Sequence, residues 1–194
     1  MMTQVYMIGV GGQGIGLLAE VLATACDAAG LDIRAVDTHG LAQRGGTVES
    51  FLRAGSAVFS PLVQPHEADL VIALERTEAL RGLIHYARPG GILVYYRTTW
   101  QPLGVRLGAQ ASVMDDDVWQ QAKRMGVTVY AVAENLPDTR MQNVAVLATV
   151  ARNGLVAGVK AEHIRDALAR VVPPKVQASN LALFDRLTAM PNES

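Results

Sequence analysis

Only one cysteine, Cys26, occurs among 194 residues. A single thiol cannot form a disulfide or a CxxC redox pair, and it cannot hold an iron–sulfur cluster, which needs several thiolates. Cys26 falls on the apolar side of the first expected helix, the setting of an inert core thiol. Aromatic residues are also scarce, at 5% of a chain that is 50% apolar. The core must therefore be built from Ala, Val, Leu, Ile and Met, as in buried parallel strands and the helices that cover them. Neither charge sign dominates, with 17 Lys plus Arg against 18 Asp plus Glu. That balance supplies no basic field for nucleic acid, and Trp100 and Trp119 are too isolated to stack bases. Apolar runs break within about ten residues, short of a membrane span. The first residues, Met1-Met2-Thr3-Gln4, lead straight into a strand without a basic and then apolar leader. A cytoplasmic location is expected.

What is present is a regular alternation. Val5 to Val10 forms a short apolar run that ends in glycines. Leu18, Val21, Leu22 and Ala25 then recur at helical spacing over 13–29, and Gly30 stands where a helix should end. Strands are expected over 33–37, 47–53, 68–74, 92–96 and 127–132. Helices are expected over 77–86, 115–125, 141–152, 161–171 and 179–189. The turn Pro89-Gly90-Gly91 should precede the strand at 92–96. The helix at 141–152 is apolar almost all round, so it should be buried in this domain or against a partner. Pro173-Pro174 should separate off the last helix, read as an arm or a packing element at about 175–194. Alternating strands and helices give an α/β fold: a single Rossmann-like domain over 1–194, with a mostly parallel sheet covered by helices on both faces.

The chemistry concentrates in two glycine-rich loops. Gly9-Val10-Gly11-Gly12-Gln13-Gly14 places GxGxxG between a strand and a helix. Glycines there allow a tight turn and let backbone N–H groups approach a phosphate, which the helix N-terminus also favours. Three readings stay open: tight strand-to-helix packing alone, a CoA-like or other phosphate ligand, and a nicotinamide or flavin dinucleotide. In the last, Asp37 would hold a ribose. The second loop runs His39-Gly40-Leu41-Ala42-Gln43-Arg44-Gly45-Gly46. Arg44 suits a phosphate, a partner carboxylate or backbone carbonyls. His39 is read as titratable or structural, and Gln13 as a ligand contact or a helix start. His66, His85 and His163 have no metal-ligand spacing. A cleft formed by Gly11, Gly12, Gln13, Gly14, Arg44, Gly45 and Gly46 is the expected anion site, on the view that loops after adjacent parallel strands meet at one edge.

GVGGQG followed by HGLAQRGG resembles the gamma-type subunit of 2-oxoacid:ferredoxin oxidoreductases, above all the small subunit of the indolepyruvate enzyme. Ser60-Pro61-Leu62, Ala68-Asp69, Leu74-Glu75, Pro89-Gly90-Gly91, Asn143, Val172-Pro173-Pro174-Lys175 and Asn180-Leu181 extend the resemblance over most of the chain. It implies a non-catalytic small subunit, inactive alone. Thiamine diphosphate and 4Fe–4S clusters would sit in one or more larger partner subunits, with electrons leaving to ferredoxin and the acyl group passing to CoA. The related domain is associated with the CoA side of the reaction, here expected within residues 4–46. An apolar or glycine-rich docking face is expected near the two loops and 97–103, taken by a second copy, as a homodimer, when the partner is absent. Two rivals remain: an NAD(P)-dependent dehydrogenase, for which no proton-transfer residue is evident, and a free-standing phosphate- or CoA-binding module.

Overall fold

The computed structural model describes residues 2–38, 46–99 and 112–191. Arg44, Gly45, His39, Trp100 and most of the 97–103 segment lie outside them. Six strands form one sheet: β1 (Thr3–Val10), β2 (Asp32–Thr38), β3 (Thr47–Gly55), β4 (Ala68–Ala73), β5 (Ala87–Tyr96) and β6 (Thr128–Val132), in the order β2-β3-β1-β4-β5-β6. Five strands run in one direction. β3 alone runs against them, paired antiparallel with both β1 and β2. The described helices are α1 (Ile15–Ala28), α2 (Arg76–His85), α3 (Asp115–Met125), α4 (Gln142–Arg152), α5 (Ala161–Val171) and α6 (Pro174–Thr188).

Strand side chains alternate between the two faces, and apolar residues at both phases let the sheet bury both sides. Val5, Met7, Leu52, Leu70, Ile72 and Val94 join one core, with α1, α4, α5 and α6 packed over it. Tyr6, Ile8, Phe51, Val71, Leu93 and Tyr95 join the other, under α2 and α3. The expected α/β sandwich is therefore present. Cys26 is fully buried on α1, and burial pushes its thiol up to about 12. Gly30 closes α1 in the left-handed region at φ +75°, with Leu31 N donating to Cys26 O. The apolar helix α4 is buried within this domain along Gln142 to Ala151.

Three expectations change. Pro89-Gly90-Gly91 does not end before a strand but is carried inside β5. The β4–β5 register passes from Ala68–Ala87 to Leu70–Ile92, so the extra residues bulge outward. The last helix starts at Pro174 rather than near residue 179, because proline is well suited to the first helical turn, where its missing N–H is not needed. That helix packs inward through Leu183, Phe184 and Leu187. The third change concerns strand adjacency: β2 is not the neighbour of β1, because β3 lies between them.

Candidate functional site

β1 ends at Val10, and the chain turns into α1 through residues 11–14. Gly12 (φ +99°) and Gly14 (φ +88°) occupy backbone conformations that favour glycine. Gln13 is 4% exposed. Its Oε1 accepts from Val10 N at 2.8 Å, and its Nε2 donates to Leu74 O at 3.3 Å. Gln13 thus ties the turn to the end of β4 and spends its side chain on the backbone. Gly11 N donates to Gly46 O at 2.9 Å, which joins the first loop to the end of the second. The loops meet for a different reason from the one expected. The antiparallel β3 starts at Thr47 opposite Val10, so its entry lies at the C-terminal edge of β1. The same arrangement removes the dinucleotide geometry. Asp37 stands on a strand two places from β1, roughly 10 Å across the sheet, and it accepts a hydrogen bond from Ser50 Oγ at 2.6 Å.

Three helix N-termini converge beside the turn: α1 after Gly14, α4 with its leading 3₁₀ turn (Thr139–Met141), and α6 after Pro173. They enclose a cavity of about 450 Å³. Gly14, the N-cap of α1, has no side chain with which to cap it. The first N–H groups of that helix therefore have no partner within it, and together with its dipole they favour an anion. Asn143 supplies a side-chain donor. It is 5% exposed, and its Oδ1 is engaged by Val144 N at 2.8 Å. Its Nδ2 has no acceptor among the described residues, and it lies 2.9 Å from where a Gly14 Cβ would stand. That carboxamide lies in the cavity wall.

Arg140 also lines the cavity but is matched by Asp138, with an Nη2–Oδ2 distance of 2.6 Å. Hydrogen bonds from the Arg140 side chain and backbone hold the Asp138 carboxyl down at about 2. Asn180 donates Nδ2 to Val176 O at 2.6 Å. Leu17, Met141, Val172 and Val176 make the remaining wall apolar. An anion-favouring corner beside an apolar wall suits a ligand with phosphate at one end and an organic body at the other.

Of the expected site residues, Gly12, Gln13 and Gly14 line this cavity. Gly11 and Gly46 instead pair with each other behind it. Arg140, Asn143 and Asn180 were not among the expected site residues. Asn143 and Asn180 stood in the sequence as family features, and a carboxamide inside an otherwise apolar helix was the available signal.

The pyruvate ferredoxin/flavodoxin oxidoreductase family model matches residues 4–189, and the chain belongs to that family. It is 31% identical over 187 residues to an indolepyruvate oxidoreductase subunit IorB of Archaeoglobus fulgidus, covering 93% of this chain and 91% of the relative. A subunit of the same name from Pyrococcus horikoshii is 27% identical, with 93% and 92% coverage. Among solved structures, the gamma subunit of a keto/oxoacid ferredoxin oxidoreductase from Geobacter sulfurreducens shares the fold. Its TM-score is 0.64 at 18% identity, over 96% of both chains. The 2-oxoglutarate:ferredoxin oxidoreductase of Magnetococcus marinus, solved with 2-oxoglutarate, coenzyme A and succinyl-CoA bound, has a TM-score of 0.67 at 20% identity. That match covers 97% of this chain and 30% of the larger one.

Proposed function

We infer that this chain is the small, non-catalytic subunit of a 2-oxoacid:ferredoxin oxidoreductase, in the branch that acts on indolepyruvate or a related keto acid. The family match across residues 4–189 carries this reading. Oxidative decarboxylation needs a thiamine to take up the 2-oxoacid and clusters to carry electrons away. One cysteine cannot ligate a cluster, so the clusters would lie in a larger partner, where the family resemblance also puts thiamine and from which electrons would pass to ferredoxin. The contribution assigned to this chain is to hold CoA, the acyl acceptor. Its phosphates would lie against the turn at Gly12, Gln13 and Gly14, with Asn143 Nδ2 as donor and with Arg44 and Gly45 of the second loop as further candidate contacts. Its organic body would run along Leu17, Met141 and Val176.

The test is the complex made by co-expression with the larger subunit, assayed by 2-oxoacid- and CoA-dependent reduction of a viologen dye. Gly12→Val blocks backbone approach, while Asn143→Ala removes the donor. Each is expected to raise the KM for CoA at least tenfold, with the KM for the 2-oxoacid unchanged. Parent-like CoA kinetics in both variants would remove the ligand assignment and leave the subunit assignment standing. Absence of any complex with a thiamine-bearing chain would remove both.

A further inference from the structure

Among the described residues β2 is the outer strand of the sheet and pairs with β3 alone. Exposed sheet edges present a row of unpaired N–H and C=O groups, and proteins usually blunt them with charged side chains, above all Lys, or with Pro, a bulge or a covering element. β2 reads Asp32-Ile33-Arg34-Ala35-Val36-Asp37-Thr38. It carries charges at Asp32, Arg34 and Asp37 but no Pro, Lys or Gly, and its register with β3 runs without a shift from Asp32–Gly55 to Thr38–Glu49. Arg34 turns back on the strand, its Nη1 donating to Ile33 O at 2.7 Å.

Beside this edge lies a groove of about 440 Å³ between β2 and α1, lined by Gly16, Ala19, Ala23, Ala35 and Val36 and flanked by Glu20 and Asp37. Ala35 and Asp37 face the α1 side, since they pair with the inward Leu52 and Ser50. The small side chains leave room for an added strand to seat its own side chains under α1. Neither Glu20 nor Asp37 has an ion-pair partner among the described residues, where Asp37 accepts from Ser50 Oγ. Among the described residues, a free outer edge, a groove of mostly small residues and two carboxylates without an ion-pair partner together describe a strand-addition site for a basic segment.

We propose that an extended, Lys- or Arg-bearing segment of the larger subunit adds to β2 as a seventh strand, with its basic side chains directed at Glu20 and Asp37. This rests on the subunit reading above. A second copy of this chain fits the groove poorly. Antiparallel β2–β2 pairing about Ala35 would set Ile33 opposite the copy's Asp37. It would also gather both Glu20 and both Asp37 carboxylates on one face, with no cation among them, and like charges across such a contact are destabilising.

The experiment compares hydrogen exchange of the 32–38 segment in the full chain alone and in the co-expressed complex. Exchange is expected to slow at least tenfold on assembly. Glu20→Lys reverses one flanking charge, and Ala35→Lys plants an edge-blocking lysine. Both positions are exposed, so thermal unfolding of the free chain should stay near the parent's, while the Kd for the larger subunit rises at least tenfold. A complex in which this segment exchanges as fast as in the free chain overturns the proposal, as does parent-like assembly by both variants. Protection already present in a homodimer of the free chain overturns it in favour of self-pairing. If the parent chain forms no complex at all, the subunit reading fails, and the docking proposal with it.

Discussion

Replacing Gly14 with alanine isolates the close packing of Asn143 on Gly14 in the cavity wall. The residue sits at φ +88°, ψ +33° as the N-cap of α1, and an added Cβ would lie 2.9 Å from Asn143 Nδ2. The left-handed backbone alone costs an L side chain about 1–2 kcal/mol. The new methyl also pushes the Asn143 amide aside, straining its bond to Val144 N, and a hydrogen bond of that kind contributes about 1 kcal/mol net. Gly14→Ala should therefore destabilise by about 2–3 kcal/mol, since the two contributions concern different atoms. In a domain of this size that is a fall of about 5–10 °C in Tm. Gly12→Ala is the internal control. Gly12 also has a positive φ, +99°, but its Cβ would meet nothing within 4 Å, so only the backbone cost of about 1–2 kcal/mol applies. Urea unfolding of both variants measures the difference. A double-mutant cycle in an Asn143→Ala background then tests its origin, because removing the carboxamide should bring the Gly14→Ala cost down to that of Gly12→Ala. Equal costs for the two glycines, or an excess that survives without Asn143, would refute the packing of Asn143 on Gly14.

Gln13→Ala leaves Val10 N buried without its acceptor, so unfolding by urea should show a loss of about 1–3 kcal/mol; a neutral effect would mean that the Gln13 bridge adds nothing. Glu78 is 4% exposed, and burial raises its carboxyl above the usual value, with Glu75 adding to the rise while Arg81 opposes it. Arg81 Nε stands 3.1 Å from Glu78 Oε2 as an ion pair that lacks hydrogen-bond alignment. The folded chain therefore binds this proton more tightly than the unfolded chain. Stability from this group grows as pH falls from neutral through the raised folded value towards the unfolded one, and it is lost as pH rises again. Urea midpoints at pH 7 and pH 5 should show the parent gaining on Glu78→Gln at the lower pH; parallel behaviour would count against the shift. Cys26, held up at about 12 with no exposed surface, should resist thiol reagents at pH 8 until the chain unfolds, and rapid stoichiometric labelling of the native chain is the contrary result. The purified chain should be colourless and should not reduce a viologen dye with any 2-oxoacid, and either an iron–sulfur spectrum or turnover would refute the non-catalytic reading.

Hydrophobic period and glycine placement determined the element list, because both are local. The boundaries of α3 and α5 follow directly from them: α3 has acids in its first turn, bases in its last and Gly126 beyond it, while α5 repeats apolar residues at helical spacing. The order of the two glycine loops was likewise enough to point to the family. Sequence could not decide which strand lies beside which. A run such as Thr47–Gly55 reads the same whether it is parallel or antiparallel, since side-chain alternation does not encode direction. Only the folded sheet placed β3 between β1 and β2, and that one insertion moved Asp37 away from the glycine turn, brought Gly46 against Gly11, and put β2 at the outer edge of the described strands. Nor could sequence bring Asn143 to Gly14, because residues so distant in the chain meet only when α4 packs beside α1 on the same face of the sheet.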